Sequence, residues 1–294
     1  MAPQAYVQPV CDSTSIFKDD IFKGKVVFCT GGGSGICKGM TEALMRHGAD
    51  AAIFGRKLDR LTQTAKELSD ATKRTCIATQ GDVRQPESLK DAVQKTVEKF
   101  GRIDFVICGA AGNFLAPISG LSENAFKTVM EIDTIGSYNT VKATLPHVRS
   151  SRGSYIFVSA TLHYNATPYQ AHVSAAKAGI DALSQVLAIE EGPHGIRSNV
   201  ISPGPIGNTE GMDRLSNKSV PGSGWISGGP VGRIGDIKDV ANATLFLFSD
   251  AASFITGQVL PVDGGWEHLR TTQLPYPQAV LDPDSVGKMI KARM

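Results

Sequence analysis

No run of apolar residues in the 294-residue chain approaches the ~20 needed to carry a helix across a bilayer, so membrane insertion is not expected. Neither sign of charge is in excess. Thirty lysines and arginines stand against 28 aspartates and glutamates, and without a clustered basic face no nucleic-acid partner is expected. Cysteine is sparse: Cys11, Cys29, Cys37, Cys76 and Cys108 show no CxxC or other ligand spacing, so no metal site is expected. Cys29 and Cys108 fall in strand-like runs, the setting of buried, reduced thiols. The first twenty residues have no basic n-region and no apolar h-region, which argues against a secretory leader. There is no internal repeat and no linker between composition blocks. The expectation is a single domain, 1–294, long enough to bury a sizeable core.

What the chain does have is an alternation. Short apolar runs at 25–30, 50–54, 76–79, 104–109, 154–160, 196–201 and 258–262 read as strands. Helical periodicity fills stretches near 35–47, 57–69, 86–100, 122–149, 171–191 and 236–248. Near-continuous, β-branched runs suit a parallel sheet covered on both faces, with right-handed crossovers. The pattern therefore predicts an α/β, doubly wound Rossmann fold. Two segments depart from it. Residues 203–235 are rich in Gly, Pro and Ser, with apolar points at Met212, Leu215, Trp225 and Ile226, and read as a substrate lid. The tail 267–294 has no core pattern and reads as an extension over the surface or a neighbouring subunit.

Directly after the first strand comes TGGGSGIC, Thr30 to Cys37, opening a helix. Glycines there allow a tight turn and close backbone approach to a pyrophosphate, whose charge sits on the helix N-terminus. The strand–turn–helix context is what gives this loop meaning. Gly31, Gly33, Ser34, Gly35 and Ile36 are therefore candidate cofactor residues. After the second strand stands Arg56, where an acidic residue would favour NAD and an arginine accommodates a 2′-phosphate. Lys57 and Arg60 are lesser candidates for the same charge, and the expected cofactor is NADPH.

With these residues in hand, the chain resembles the short-chain dehydrogenase/reductase family over about residues 22–266. The matching motifs are Thr30-Gly31…Gly35, GDV at 81–83, CGAAG at 108–112, Lys177, PGPI at 203–206 and DGG at 263–265. The resemblance implies strand order 3-2-1-4-5-6-7. It also implies cofactor contacts from Thr30, Asp82, Val83, Gly109, Ala110, Ala111, Gly112, Pro203, Gly204 and Ile206, with Lys177 on the nicotinamide ribose.

The departures matter as much as the matches. The last glycine of the fingerprint is Cys37, which implies a slightly looser helix–strand contact. The serine position is Ala160, with Ser159 beside it; the tyrosine position is Val173; and the usual asparagine is Asp133. Without the tyrosine acid, ketone chemistry is poorly supported, because the reduced oxygen then lacks its proton donor. Reduction of a conjugated C=C bond differs: hydride goes to the far carbon and the proton lands on carbon, so a held water can donate it.

A subfamily without that tyrosine is the 2,4-dienoyl-CoA reductases, and the sequence is similar to its peroxisomal type. The similar stretches are 109–117, 131–139, 159–179 and 202–215. That resemblance implies Asp133 and Lys177 as the catalytic residues holding the protonating water, and a fatty acyl-CoA substrate. Asn113 and Phe114 on the loop after strand four, His163 and Tyr164 after strand five, and Met212 in the lid are substrate candidates. His172, five residues before Lys177, is read as facing away from it. Arg214, Lys218 and Arg233 are candidates for CoA phosphates. Two alternatives stay open: another enoyl-thioester or enone reductase of the same family, and a non-catalytic NADP(H)-binding sensor or scaffold. Family habit implies a homotetramer or homodimer. The terminal Ala292-Arg293-Met294 varies on a peroxisomal address and implies an import receptor and a peroxisomal matrix location.

Overall fold

The computed structural model describes residues 6–164, 166–209, 211–212, 229–269 and 281–282. The apolar runs form seven strands: β1 Val26–Thr30, β2 Asp50–Gly55, β3 Cys76–Gln80, β4 Phe105–Cys108, β5 Ser154–Val158, β6 Arg197–Pro203 and β7 Val259–Val262. All pair in parallel, in the order β3-β2-β1-β4-β5-β6-β7 that was expected. Every residue of β1, β4 and β5 is buried. A strand so enclosed must be covered on both faces. The strand period of two then divides its side chains between two cores. Val27 and Cys29 enter one cluster with Met40, Leu44, Leu61, Val240 and Leu245, while Phe28 enters the other with Leu89, Val93, Val141 and Ile180.

The helices supplying those residues are α1 Gly35–Arg46, α2 Leu58–Thr72, α3 Pro86–Phe100, α4 Glu123–Met130, α5 Gly136–Ser151, α6 Ala171–Glu191 and α7 Ile237–Phe248. Helices α1, α2 and α7 cover one face, and α3, α5 and α6 the other. Their ends follow from sequence. Pro86 occupies the first turn of α3, and Gly101 closes it in the left-handed region at φ 77°. Asp236 and Asp239 form a capping box at the start of α7.

One expected element divides. The stretch expected as a helix over 122–149 is α4 and α5 joined by a π-helical turn, Glu131–Ile135. Such turns insert an extra residue and cluster at functional sites. Here the turn carries Asp133. Gly136 follows at a point of close approach, where a Cβ would meet Val83 Cγ2 at 2.6 Å.

The order in which strands are laid down reverses beside β1, with β2 on one side and β4 on the other. Thr30 and Cys108 are register partners at the carboxyl ends of these strands. Crevices at such switch points are where doubly wound sheets bind ligands.

Candidate active site

A cavity of about 470 Å³ opens above that switch point. Its floor is the expected glycine loop. Gly31 has φ 73°, and a Cβ there would press on Gly109 O at 2.7 Å, so only glycine joins these two loops. Gly33, Ser34, Gly35 and Ile36 line the cavity. No side chain caps the N-terminus of α1, which leaves its first N–H groups for an anion. Arg56 lines the cavity at the end of β2 with Lys57 and Arg60, and Asp82 and Val83 line it at the end of β3. The Arg84 guanidinium grips the Asp82 carboxylate at 2.6 Å and holds it below the usual carboxylate range. Gly109, Ala110 and Ala111 complete this wall.

Several expected contacts lie elsewhere. Thr30 is buried and does not line the cavity. Its hydroxyl accepts from Gly109 N at 3.0 Å and Ala110 N at 3.3 Å, so it ties two loops together. The Gly112 N–H is spent on Asp133 Oδ1 at 2.8 Å. Pro203, which ends β6, and Gly204 and Ile206 beyond it stay outside the lining, with Ile206 drawn into the core and bridged to Gly235. Thr209 and Gly211, which sequence reasoning missed, line the cavity instead. The expected looseness at Cys37 is corrected. A Cβ on Gly109 would collide with Cys37 Sγ, so the glycine missing from the helix reappears across the contact.

The inner end is dry. Lys177 lines the cavity and is nearly buried, whereas Asp133 is fully buried behind it and does not itself line the cavity. Lys177 Nζ donates to Val158 O at 3.0 Å and lies 3.1 Å from Asp133 Oδ2. That separation is an ion pair, but its angles fall outside hydrogen-bond geometry, and Oδ2 has no aligned hydrogen bond. Neighbouring bonds fix the turn: Ser137 Oγ donates to Asp133 O at 2.6 Å, and Thr134 Oγ1 to Ala176 O at 2.9 Å. Val173, at the tyrosine position, is buried among Val129, Ala176 and Leu162. Ser159 Oγ and Asn113 Oδ1, both on lining residues, are likewise buried without partners. Buried polar atoms left in this state call for a water or a ligand.

Of the substrate candidates, only Asn113 lines the cavity. Phe114 stacks on His172, centroids 4.3 Å apart at 26°. His172 is buried, with neither ring nitrogen hydrogen-bonded, and burial holds it below the usual imidazole range. His163 and Tyr164 are held by another side chain. Both turn to Asp181 Oδ2, at 2.8 and 3.2 Å, and stay out of the lining. Asp181 is a buried carboxylate one turn beyond Lys177, and it needs those donors. An acidic residue four positions after Lys177, on the same face of α6, was the signal available. Met212 does not line the cavity either, and its N–H donates to Thr209 Oγ1 at 3.1 Å. Arg233 is taken up by Asp239 at 2.6 Å. Arg214, Lys218, Leu215, Trp225, Ile226 and the terminal tripeptide lie outside the described residues.

The fold, the uncapped helix above a glycine turn and the buried lysine define a nucleotide-binding reductase. The profile of the enoyl-(acyl carrier protein) reductases matches residues 31–267, and the chain belongs to the short-chain dehydrogenase/reductase family. It is 51% identical over 270 residues to the peroxisomal 2,4-dienoyl-CoA reductase SPS19, (3E)-enoyl-CoA-producing, of Saccharomyces cerevisiae, covering 90% of this chain and 92% of that one. It is 46% identical over 253 residues to the peroxisomal 2,4-dienoyl-CoA reductase of Danio rerio, covering 86% and 84%. Among solved structures, carveol dehydrogenase from Mycobacterium avium in complex with NAD superposes with a TM-score of 0.76 at 30% identity, covering 83% and 98%. A nicotinamide cofactor follows from this membership.

Proposed function

We propose that the chain reduces 2,4-dienoyl-CoA thioesters to 3-enoyl-CoA with NADPH, in the oxidation of unsaturated fatty acids. The observation that carries this reading is the dry Asp133–Lys177 pair beside Val173: a proton-handling site with no phenol to serve a carbonyl oxygen. The cavity suits the cofactor. Gly31 and Gly33 have no side chain to fill it, and the start of α1 is uncapped. Gly33, Ser34, Gly35 and Ile36 would hold the pyrophosphate, Arg56 the 2′-phosphate, and Lys177 the nicotinamide ribose. When bound, the cofactor supplies a hydride to the far end of the conjugated system.

The chain's own part is the proton. Charge gained by the diene spreads into the thioester as an enolate, and the α-carbon must then be protonated. Asp133 Oδ2, short of an aligned partner, and Lys177 Nζ beside it would together hold the donating water. Gly112 N–H on Oδ1 fixes the carboxylate plane. Val173 keeps the position dry without offering a competing acid. Asn113, with an unpaired Oδ1 in the wall, would contact the thioester.

Apolar side chains left exposed on the α4–α5 and α6 surfaces, Ile135, Tyr138, Val186 and Ile189, support a homotetramer or homodimer. Relatives named as peroxisomal and the Ala-Arg-Met terminus support import into the peroxisomal matrix.

The test is NADPH oxidation with 2,4-hexadienoyl-CoA, a 2-enoyl-CoA and a 3-ketoacyl-CoA. Turnover confined to the dienoyl thioester is expected. Equal turnover of non-CoA enones would favour a broader enone reductase, and NADPH binding without turnover a sensor.

A further inference from the structure

The cofactor reading gives no task to Cys37, the last residue of the glycine loop. It stands in the first turn of α1 and lines the cavity. Space for its sulfur is built in: Sγ lies 3.7 Å from Gly109 O, where any Cβ on residue 109 would collide with it. Two further thiols lie behind it. The Cys29 thiol on β1 donates to Cys37 O at 3.8 Å. Cys108, at the end of β4, is near enough to feel the Cys37 charge.

The three thiols are not equivalent. Burial pushes Cys29 and Cys108 up, whereas at Cys37 the neighbouring Cys29 thiol and the Lys177 cation outweigh burial and hold it below its usual range. The N-terminus of α1 acts in the same sense. An activated sulfur facing a solvent-connected cavity, with a second thiol at its back, is the arrangement of an attacking and a resolving cysteine.

We propose that Cys37 is an oxidation site guarded by the cofactor: when the cavity is empty, hydrogen peroxide oxidises Cys37, and Cys29 resolves the product to a Cys29–Cys37 disulfide joining β1 to α1. The Cys37 thiolate attacks one peroxide oxygen, the O–O bond breaks, and the departing hydroxide takes up a proton as water. The Cys29 sulfur, losing its proton, then attacks the sulfenic sulfur and expels the second water. Two electrons and two protons pass from the thiol pair to one peroxide, and a dithiol reductant returns them. The guard rests on the nicotinamide-cofactor reading of the cavity; the thiol pair itself does not.

The experiment uses the full chain with Cys11→Ser, because Cys11 is exposed and reacts independently. After exposure to hydrogen peroxide, unreduced digests should contain Cys29 and Cys37 in one linked species two hydrogens lighter, reversed by dithiothreitol. NADP⁺ at a hundred times its Kd should slow its formation about a hundredfold. With Cys29→Ser added, oxidation should stop at a Cys37 sulfenic acid captured by dimedone. NADP⁺ binding is measured separately by calorimetry. Binding without protection overturns the guard alone, and absence of binding overturns the cofactor reading and the guard with it. No linked species, or oxidation falling first on Cys76 or Cys108, overturns the site.

Discussion

The two ends of the cavity solve opposite problems. At the outer end, Arg56, Lys57 and Arg60 gather positive charge where water reaches it, and Asp82 is satisfied by Arg84. Solvated groups of this kind are inexpensive to keep and individually weak. At the inner end, Asp133 and Lys177 are an ion pair removed from water, beside an unpaired Ser159 hydroxyl and an unpaired Asn113 oxygen. Burying such groups is costly unless something completes them. The difference assigns the work. In the proposed function the wet end discriminates between cofactors, and the dry end, kept polar at a cost in stability, does the chemistry.

The sharpest way to break that division is at the dry end. Asp133→Asn keeps the Gly112 N–H acceptor and the shape but removes the charge. It should lower kcat by roughly 10²–10⁴-fold with little change in NADPH binding, as expected for loss of a general acid–base group. Lys177→Ala should lose activity and also stability, because a buried carboxylate without its cation costs roughly 3–5 kcal/mol. Stopped-flow turnover and urea unfolding separate the two. A fall in NADPH affinity alone would place Asp133 at the wet end in function.

Packing beneath the boundary gives the next effect. Gly109→Ala drives a methyl into Cys37 Sγ and the Thr30 carbonyl. Overpacking of this kind costs roughly 1–3 kcal/mol. Pairing it with Cys37→Gly should restore most of the loss, and thermal melts of the single and double variants measure the coupling. Additive losses would mean that the two positions do not share one contact.

The division was only partly visible in the sequence. Strands and the glycine loop followed from short apolar runs and a local motif, and strand order from the family resemblance; the sheet has that order, and the loop and Arg56 line the cavity. What escaped was non-local. That the 122–149 helix would break into a π turn at Asp133 depends on where Gly112 and Ala176 arrive. The capture of His163 and Tyr164 by Asp181 depends on a contact 17 to 18 residues away in sequence. The Cys37–Gly109 exchange spans 72 positions. Local pattern finds elements, but it does not show which buried group will need which donor.

At the wet end the effect should be smaller. Arg56→Ala removes a charge-assisted contact worth roughly 1.5–3 kcal/mol. The preference for NADPH over NADH should therefore fall about ten- to hundredfold in kcat/KM, with kcat on saturating NADPH unchanged. An unchanged ratio would pass the 2′-phosphate to Lys57 or Arg60.

The smallest effect concerns His172, which borders the dry end without lining it. Burial depresses its folded pKa from the ordinary 6.5, while the Phe114 backbone and the Asp133 charge oppose the shift. Below about pH 6.5 the unfolded chain therefore gains a proton that the folded chain resists, so its contribution to stability is whole above that pH and is lost on acidification. His172→Phe retains a ring to stack on Phe114 and removes the titration. Its urea midpoint should fall less than the parent's between pH 7 and pH 5, and its turnover should stay far above that of Asp133→Asn. Equal midpoint shifts would mean that the imidazole is not protonated on unfolding in this range. Equal losses of turnover would move the chemistry away from Asp133.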